Sequence, residues 1–218
     1  MKVIKLIFLV IVFLNPSKSW EYCQADVQNK LCGGGQAHLL CDGKNSITNP
    51  SYISKDFLAH VPLTRKVKEA FINWHNYYRN RTAGGWAKNS LNSIYFPMAV
   101  RMRELLWDSE LSFLSHYRSK LVNAGEATCR GSQRFPYVAQ NLIVKALNEP
   151  KPVLEIISLS LREMFDEKNN IENPTEMPKE FMYDYEVAKQ FTTMINDGVS
   201  RVGCAVALGA DCMDKYDT

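Results

Sequence analysis

Four histidines and six cysteines are the residues of this 218-residue chain with the widest chemical range. His38, His60 and His116 have no acid or second histidine at ligand or catalytic spacing. His75 stands between Trp74 and Asn76 in a helical stretch and reads as an orienting hydrogen bonder. Cys23, Cys32, Cys41, Cys129, Cys204 and Cys212 contain no Cys-x-x-Cys pair, so they build no zinc knuckle. No Gly-x-Ser-x-Gly turn exposes a serine nucleophile, and no spacing points to a Ser-His-acid triad. Asn80-Arg81-Thr82 is the sole N-glycosylation sequon, and it falls at the end of a helix.

The cysteines belong to an oxidising compartment, and the start of the chain says which one. Lys2 and Lys5 precede the apolar run Leu6 to Leu14, which is too short to cross a bilayer. Asn15-Pro16 ends the run, and Ser17 and Ser19 place small residues where a signal peptidase reads. The reading is a signal peptide over 1–19 and a secreted, extracellular product with no membrane span. The C-terminal Asp211 to Thr218 carries no retention or lipid-anchor signal. Loss of Lys2, Lys5 and Lys18 with the leader reduces 26 basic residues to 23, equal to the 23 acidic ones. A neutral domain has no general electrostatic reason to hold nucleic acid or an anionic membrane. An even number of cysteines in such a chain argues for three bridges, whose connectivity the spacing leaves open.

The elements that would position these residues follow from periodicity. Residues 20–62 hold half the cysteines and Gly33-Gly34-Gly35, and read as an irregular, disulfide-tied extension. Val67, Ala70, Phe71, Trp74 and Tyr78 recur at helical spacing until Gly84-Gly85. Asp108 is an N-cap for a second helix lined by Leu111, Leu114 and Leu121. Tyr137 to Val144 reads as a strand. Pro152 opens a third helix with Leu154, Ile157, Leu161, Met164 and Phe165 inward. Tyr185 to Ile195 reads as a helix and Val202 to Leu208 as a strand. Helices and strands alternate without repeat, so residues 63–218 form one α/β domain, a sandwich with helices on both sides of a small sheet.

Four blocks, in order, resemble the CAP superfamily of cysteine-rich secretory, antigen 5 and pathogenesis-related proteins, in its insect antigen 5 branch. The first is His75-Asn76-Tyr77-Tyr78-Arg79-Asn80 with Ala83-Gly84-Gly85. The second is Met102 to Leu111, around Trp107-Asp108. The third is Cys129-Arg130 with Phe135-Pro136-Tyr137-Val138-Ala139-Gln140-Asn141-Leu142. The fourth is Gln190-Phe191-Thr192-Thr193 with Val202-Gly203-Cys204. The resemblance, over about Tyr22 to Ala207, implies a three-layer α-β-α sandwich. It implies the bridges Cys23–Cys41 and Cys32–Cys129 and leaves Cys204 to Cys212. The family's C-terminal hairpin is longer, so a shortened hairpin is expected here.

The family's central cleft carries two histidines and two acids that can bind zinc. The matching positions here are Glu126, Gln140, Glu167 and Gln190, with Met164 where the family has Trp. One surviving acid and two amides leave a degenerate site, so neither catalytic residue, metal nor other cofactor is expected. Two carboxylates and two amide oxygens would suit a hard cation such as Ca²⁺ better than zinc. What the resemblance implies is a secreted, monomeric, non-catalytic protein that binds a lipid, a small amphipathic molecule or an extracellular protein. The alternatives are a protease-like extracellular hydrolase and a purely structural module. Phe71, Trp74, Tyr77 and Tyr78 could line a groove, although core packing accounts for most such residues.

Overall fold

A computed structural model describes residues 22–41, 53–121, 129–147, 149–179 and 186–210. The expected signal peptide, Glu126 and Cys212 lie outside the described residues. The chain has an α/β fold in which α-helices flank short β-ribbons.

The extension is more regular than its composition predicts. It contains helix α1 (Ala25–Leu31), with Asp26 in the first turn and Lys30 in the last, matching the helix dipole. Gly33–Gly35 form one 3-10 turn, and Gly35 takes φ 74°, a left-handed conformation open to glycine. Cys23 is bridged to Cys41 and Cys32 to Cys129, with Cα separations of 5.2 and 5.4 Å. The second bridge spans 97 residues and ties the extension to the domain. In the chain-entropy account each such bridge stabilises by about 2–4 kcal/mol.

Among the described residues the middle layer is two separate ribbons. Strand β1 (Phe57–His60) pairs antiparallel with β4 (Ala207–Gly209), His60 opposite Ala207. Strand β2 (Leu106–Trp107) pairs in parallel with β3 (Arg201–Val202). The strand expected over Tyr137–Val144 does not form. Arg130 Nε takes the Val138 carbonyl at 2.6 Å, a group a ladder would need, and the Asn141 side chain reaches α5, its Nδ2 donating to the Gln190 carbonyl at 2.9 Å. The strand expected over Val202–Leu208 is broken for a similar reason. Ser115 Oγ donates to the Gly203 carbonyl at 2.7 Å and Ser112 Oγ to the Cys204 carbonyl at 3.3 Å.

Further helices pack around these ribbons. α2 (Arg65–Ala83) starts at Thr64, whose hydroxyl accepts from the Val67 N–H at 3.3 Å. α3 (Ser109–Ser119) starts at Asp108, whose Oδ1 accepts from Glu110 N at 2.9 Å and Leu111 N at 3.1 Å. α4 (Val153–Asp166) follows Pro152. α5 (Lys189–Ile195) lies within the helix expected over Tyr185–Ile195, which is interrupted at Ala188, with Tyr185 itself outside the described residues. The main core joins α2, α4 and α5 through Phe71, Tyr78, Ile157, Leu161, Phe165 and Phe191. A second cluster, Leu39, Leu40, Leu114 and Tyr117, seals the extension onto α3. Burying a side chain such as Phe191 contributes about 2–3 kcal/mol.

The buried face of α2 includes two polar residues that periodicity alone does not announce, His75 and Arg79. Arg79 is 1 % exposed and directs its guanidinium at backbone carbonyls. Nε and Nη2 donate to Arg103 O at 3.1 and 2.7 Å, and Nη2 also to Val199 O at 3.1 Å. Nη1 donates to Met194 O at 2.7 Å and Asn196 O at 2.8 Å. Burial lowers its pKa to about 10, with Asp197 opposing the shift, so it stays charged at neutral pH. One side chain thus fixes α2, the end of α5 and the approach to β3 in one arrangement.

Candidate functional site

Glu167 opens a 3-10 turn (Glu167–Asn170) directly after α4, which aims its carboxylate at the head of α5. Glu167 Oε2 accepts from Gln190 N at 2.7 Å and from Phe191 N at 3.2 Å. The surviving acid therefore caps a helix and satisfies two amide groups that the helix itself leaves open. The Asn141–Gln190 bond brings the Gln140-Asn141 segment to the same place. Gln140 Nε2, Asn141 Oδ1, Gln190 Oε1 and Thr193 Oγ1 are buried without a hydrogen-bond partner among the described residues. Such groups cost about 1–3 kcal/mol each unless water completes them.

This donor set does not fit zinc. Zinc takes thiolate, imidazole and carboxylate ligands, and the carboxylate present already holds two amide hydrogens. No group of three or more His, Cys, Asp or Glu side chains comes together among the described residues. The hard-cation reading also needs Glu126, which lies outside the described residues.

The histidines sort into structural roles and one unforeseen pair. His75 Nδ1 donates to the Phe71 carbonyl at 2.8 Å, and burial lowers its pKa to about 4, so the ring is neutral. His38 accepts from Leu40 N at Nδ1 (3.2 Å), which leaves Nε2–H to donate to Gly131 O at 2.8 Å. Desolvation lowers its pKa as well. His60 and His116, without partners in the sequence pattern, meet with ring centroids 4.6 Å apart. His60 Nε2 also lies 3.0 Å from His116 O and 2.9 Å from Ser119 Oγ. The contact crosses from β1 to α3, so no local spacing could announce it.

Cys204 has no partner among the described residues, and Cys212, its expected partner, lies outside them. The residue is packed against the main core, and desolvation pushes its pKa up to about 12. A thiol so protonated is a weak nucleophile. Near the extension, Tyr22 stacks on His38 and donates to Glu110 Oε1 at 2.6 Å. Burial and Glu110 raise the phenol pKa. Arg134 joins Glu110 to Asp108, at 2.9 Å from each. The Trp107-Asp108 motif thus serves capping and anchoring.

An open cleft lies between α2 and α4, with a volume of about 460 Å³. α2 contributes Trp74, Tyr77, Tyr78 and Arg81 to its lining. α4 contributes Arg162, Phe165 and Asp166, and Lys88, Ser90 and Lys168 come from flanking segments. Tyr78 and Phe165 are buried, whereas Trp74 and Tyr77 are 36 % and 47 % exposed. Of the four aromatic residues that could line a groove, Phe71 and Tyr78 are core and Trp74 and Tyr77 are not. The sequence signal for this face is a second stripe, Trp74, Tyr77, Tyr78 and Arg81 at i, i+3, i+4 and i+7, beside the core stripe. Asn80 is exposed in the last turn of α2, while the Thr82 hydroxyl of its sequon is buried and donates to Tyr78 O at 3.1 Å.

The chain matches the family model described as the cysteine-rich secretory protein family over residues 72–216. It is 31 % identical over 176 residues to the antigen 5 like allergen Cul n 1 of Culicoides nubeculosus, covering 78 % of this chain and 73 % of that protein. It is 25 % identical to venom allergen-1 of Aedes albopictus, covering 85 % and 67 % of the two chains. It is 24 % identical to tabinhibitin 10 of Tabanus yao, covering 91 % and 73 %. The two cross-linked cysteine pairs, the capped Trp107-Asp108 helix and the Glu167–α5 junction are therefore features of a chain that belongs to the CAP family, in its insect antigen 5-like branch.

Proposed function

We propose that this is a secreted, non-catalytic CAP protein that works by holding a lipid-like or small amphipathic molecule or an extracellular protein. The observation that carries this reading is the use of Glu167 as a helix cap, with amides at 140 and 190 beside it. General acid–base work needs a second titratable group in reach of the first, and the neighbouring family positions 140 and 190 are amides, which do not titrate. Extracellular placement rests on the leader over 1–19 and the two disulfides. Among the described residues no helix is long and apolar enough to cross a membrane. The proposed organisation is a leader, an extension over 20–62 and a monomeric domain over 63–218, with Asn80 as the glycan acceptor.

The test is the protein purified from its secretion. Native mass spectrometry with lipid extraction should find a bound small molecule, or a pull-down should find a protein partner. Cleavage of a peptide library that disappears in Glu167→Gln would overturn the reading in favour of a hydrolase. A peptide N-glycosidase mass shift abolished by Asn80→Gln would establish the glycan.

A further inference from the structure

We infer that the cleft between α2 and α4 is a site for a small planar aromatic anion; this rests on the binding-protein reading and gives its ligand a chemical class. The first observation is a stack of rings that runs from the core to the surface. Phe165 and Tyr78 stack with centroids 4.4 Å apart at 20°, and Tyr78 and Trp74 lie 5.9 Å apart at 28°. Exposure rises along it, from 3 % at Phe165 and 5 % at Tyr78 to 36 % at Trp74. Tyr77 stands edge-on beside the stack, 5.5 Å from Trp74 at 87°. The stack ends on an indole with open surface and an aromatic wall, which suits one more flat ring.

The second observation is the charge around that ring. Arg81, Lys88, Arg162 and Lys168 face the cleft, against one acid, Asp166. Asp166 is already occupied, 2.8 Å from Lys168 Nζ and 3.6 Å from Arg162 Nε. Arg81 and Lys88 make no ion pair among the described residues. Arg81 instead lies over the Tyr77 ring at 5.9 Å, and Lys88 over Tyr95 at 5.7 Å. A surplus of three positive charges at one cleft, on a mature domain with balanced charge, attracts an anion.

The third observation separates a flat anion from a long acyl chain. An acyl chain needs a deep apolar channel. Here the floor is closed by Tyr78 and Phe165, and half of the ten lining residues are charged. The volume of about 460 Å³ falls within the range of small-ligand clefts.

The experiment is isothermal titration of the full mature protein with 1-naphthalenesulfonate. Two controls change one property each: octanesulfonate keeps the charge without the ring, and 1-naphthylmethylammonium keeps the ring with the opposite charge. Naphthalenesulfonate should bind about tenfold more tightly than either control. Trp74→Ala, Arg81→Gln and Lys88→Gln should each weaken it by about threefold to tenfold with an unchanged circular dichroism spectrum. Raising salt from about 50 to about 500 mM should weaken wild type more than Arg81→Gln. No heat with naphthalenesulfonate, equal binding of octanesulfonate, or indifference to all three substitutions would overturn the inference. If these arms fail while the secreted protein still carries another ligand or partner, the wider binding reading stands without this site. Glu167-dependent peptide cleavage would instead remove the wider reading.

Discussion

Glu167 accepts the backbone N–H of Gln190 at 2.7 Å, so a carboxylate at the end of α4 holds the first turn of α5. The acid's worth here is conformational. Glu167→Ala should destabilise the domain by about 1–2 kcal/mol, read as a lower urea midpoint. Glu167→Gln keeps an acceptor oxygen and should cost less than half as much. Equal losses for the two would show that the cap is not what Glu167 supplies.

Arg79 should be the costliest polar residue to replace. Arg79→Met removes the guanidinium donors from the carbonyls of Arg103, Met194, Asn196 and Val199, of which Asn196 keeps the Val199 N–H, and a loss of about 3–5 kcal/mol is expected. Arg79→Lys retains charge but only three hydrogens at one point, so it should recover less than half of that loss. Urea unfolding of the pair checks this, and a lysine variant as stable as wild type would refute the bonding account.

Acid should destabilise this fold through its neutral histidines. The His75 pKa is lowered to about 4 by burial, against about 6.5 in an unfolded chain. The unfolded state therefore binds the proton first. Stability is complete above about pH 6.5, declines as pH falls, and by about pH 4 has lost about 3 kcal/mol from this group. His38 and His60 are shifted in the same direction, chiefly by desolvation, with His116 adding repulsion at His60. Melting curves from about pH 7.5 to about pH 4 should show the decline, and His75→Gln should flatten it. A variant with the wild-type slope would place the effect elsewhere.

Gly203 and Gly33 should differ sharply on substitution by alanine. A Cβ at Gly203 would overlap the Ser112 nitrogen and Leu111, which are α3 backbone and side chain and cannot step aside, whereas Gly33 has nothing within 4 Å. Gly203→Ala should cost about 3 kcal/mol or more and Gly33→Ala under about 0.5 kcal/mol. Thermal melts of the two variants are sufficient.

Elements governed by nearby residues are legible in the sequence. Asp108 and Pro152 mark the starts of α3 and α4, and Gly84 follows α2, because capping and proline geometry are local. What the pattern misses is decided by distant partners. Tyr137–Val144 has strand composition, but the Arg130 side chain takes its Val138 carbonyl and no neighbouring strand pairs with it among the described residues. His75 and Arg79 sit on the inward face of α2, where a polar letter argues for solvent until their carbonyl partners are known. At the site, the amides at Gln140 and Gln190 are readable in the sequence, whereas the capping role of Glu167 is not. The convergence of Arg81, Lys88 and Arg162 needs the α2–α4 packing and has no counterpart in spacing.

The Cys32–Cys129 bridge has a topological consequence. A proteolytic nick at any peptide bond between these two cysteines cannot release either piece, because the sulfur link still joins them. The fragments stay at a high effective concentration, with the Leu39–Tyr117 cluster holding the extension against α3. Such a chain is wounded long before it is dismantled.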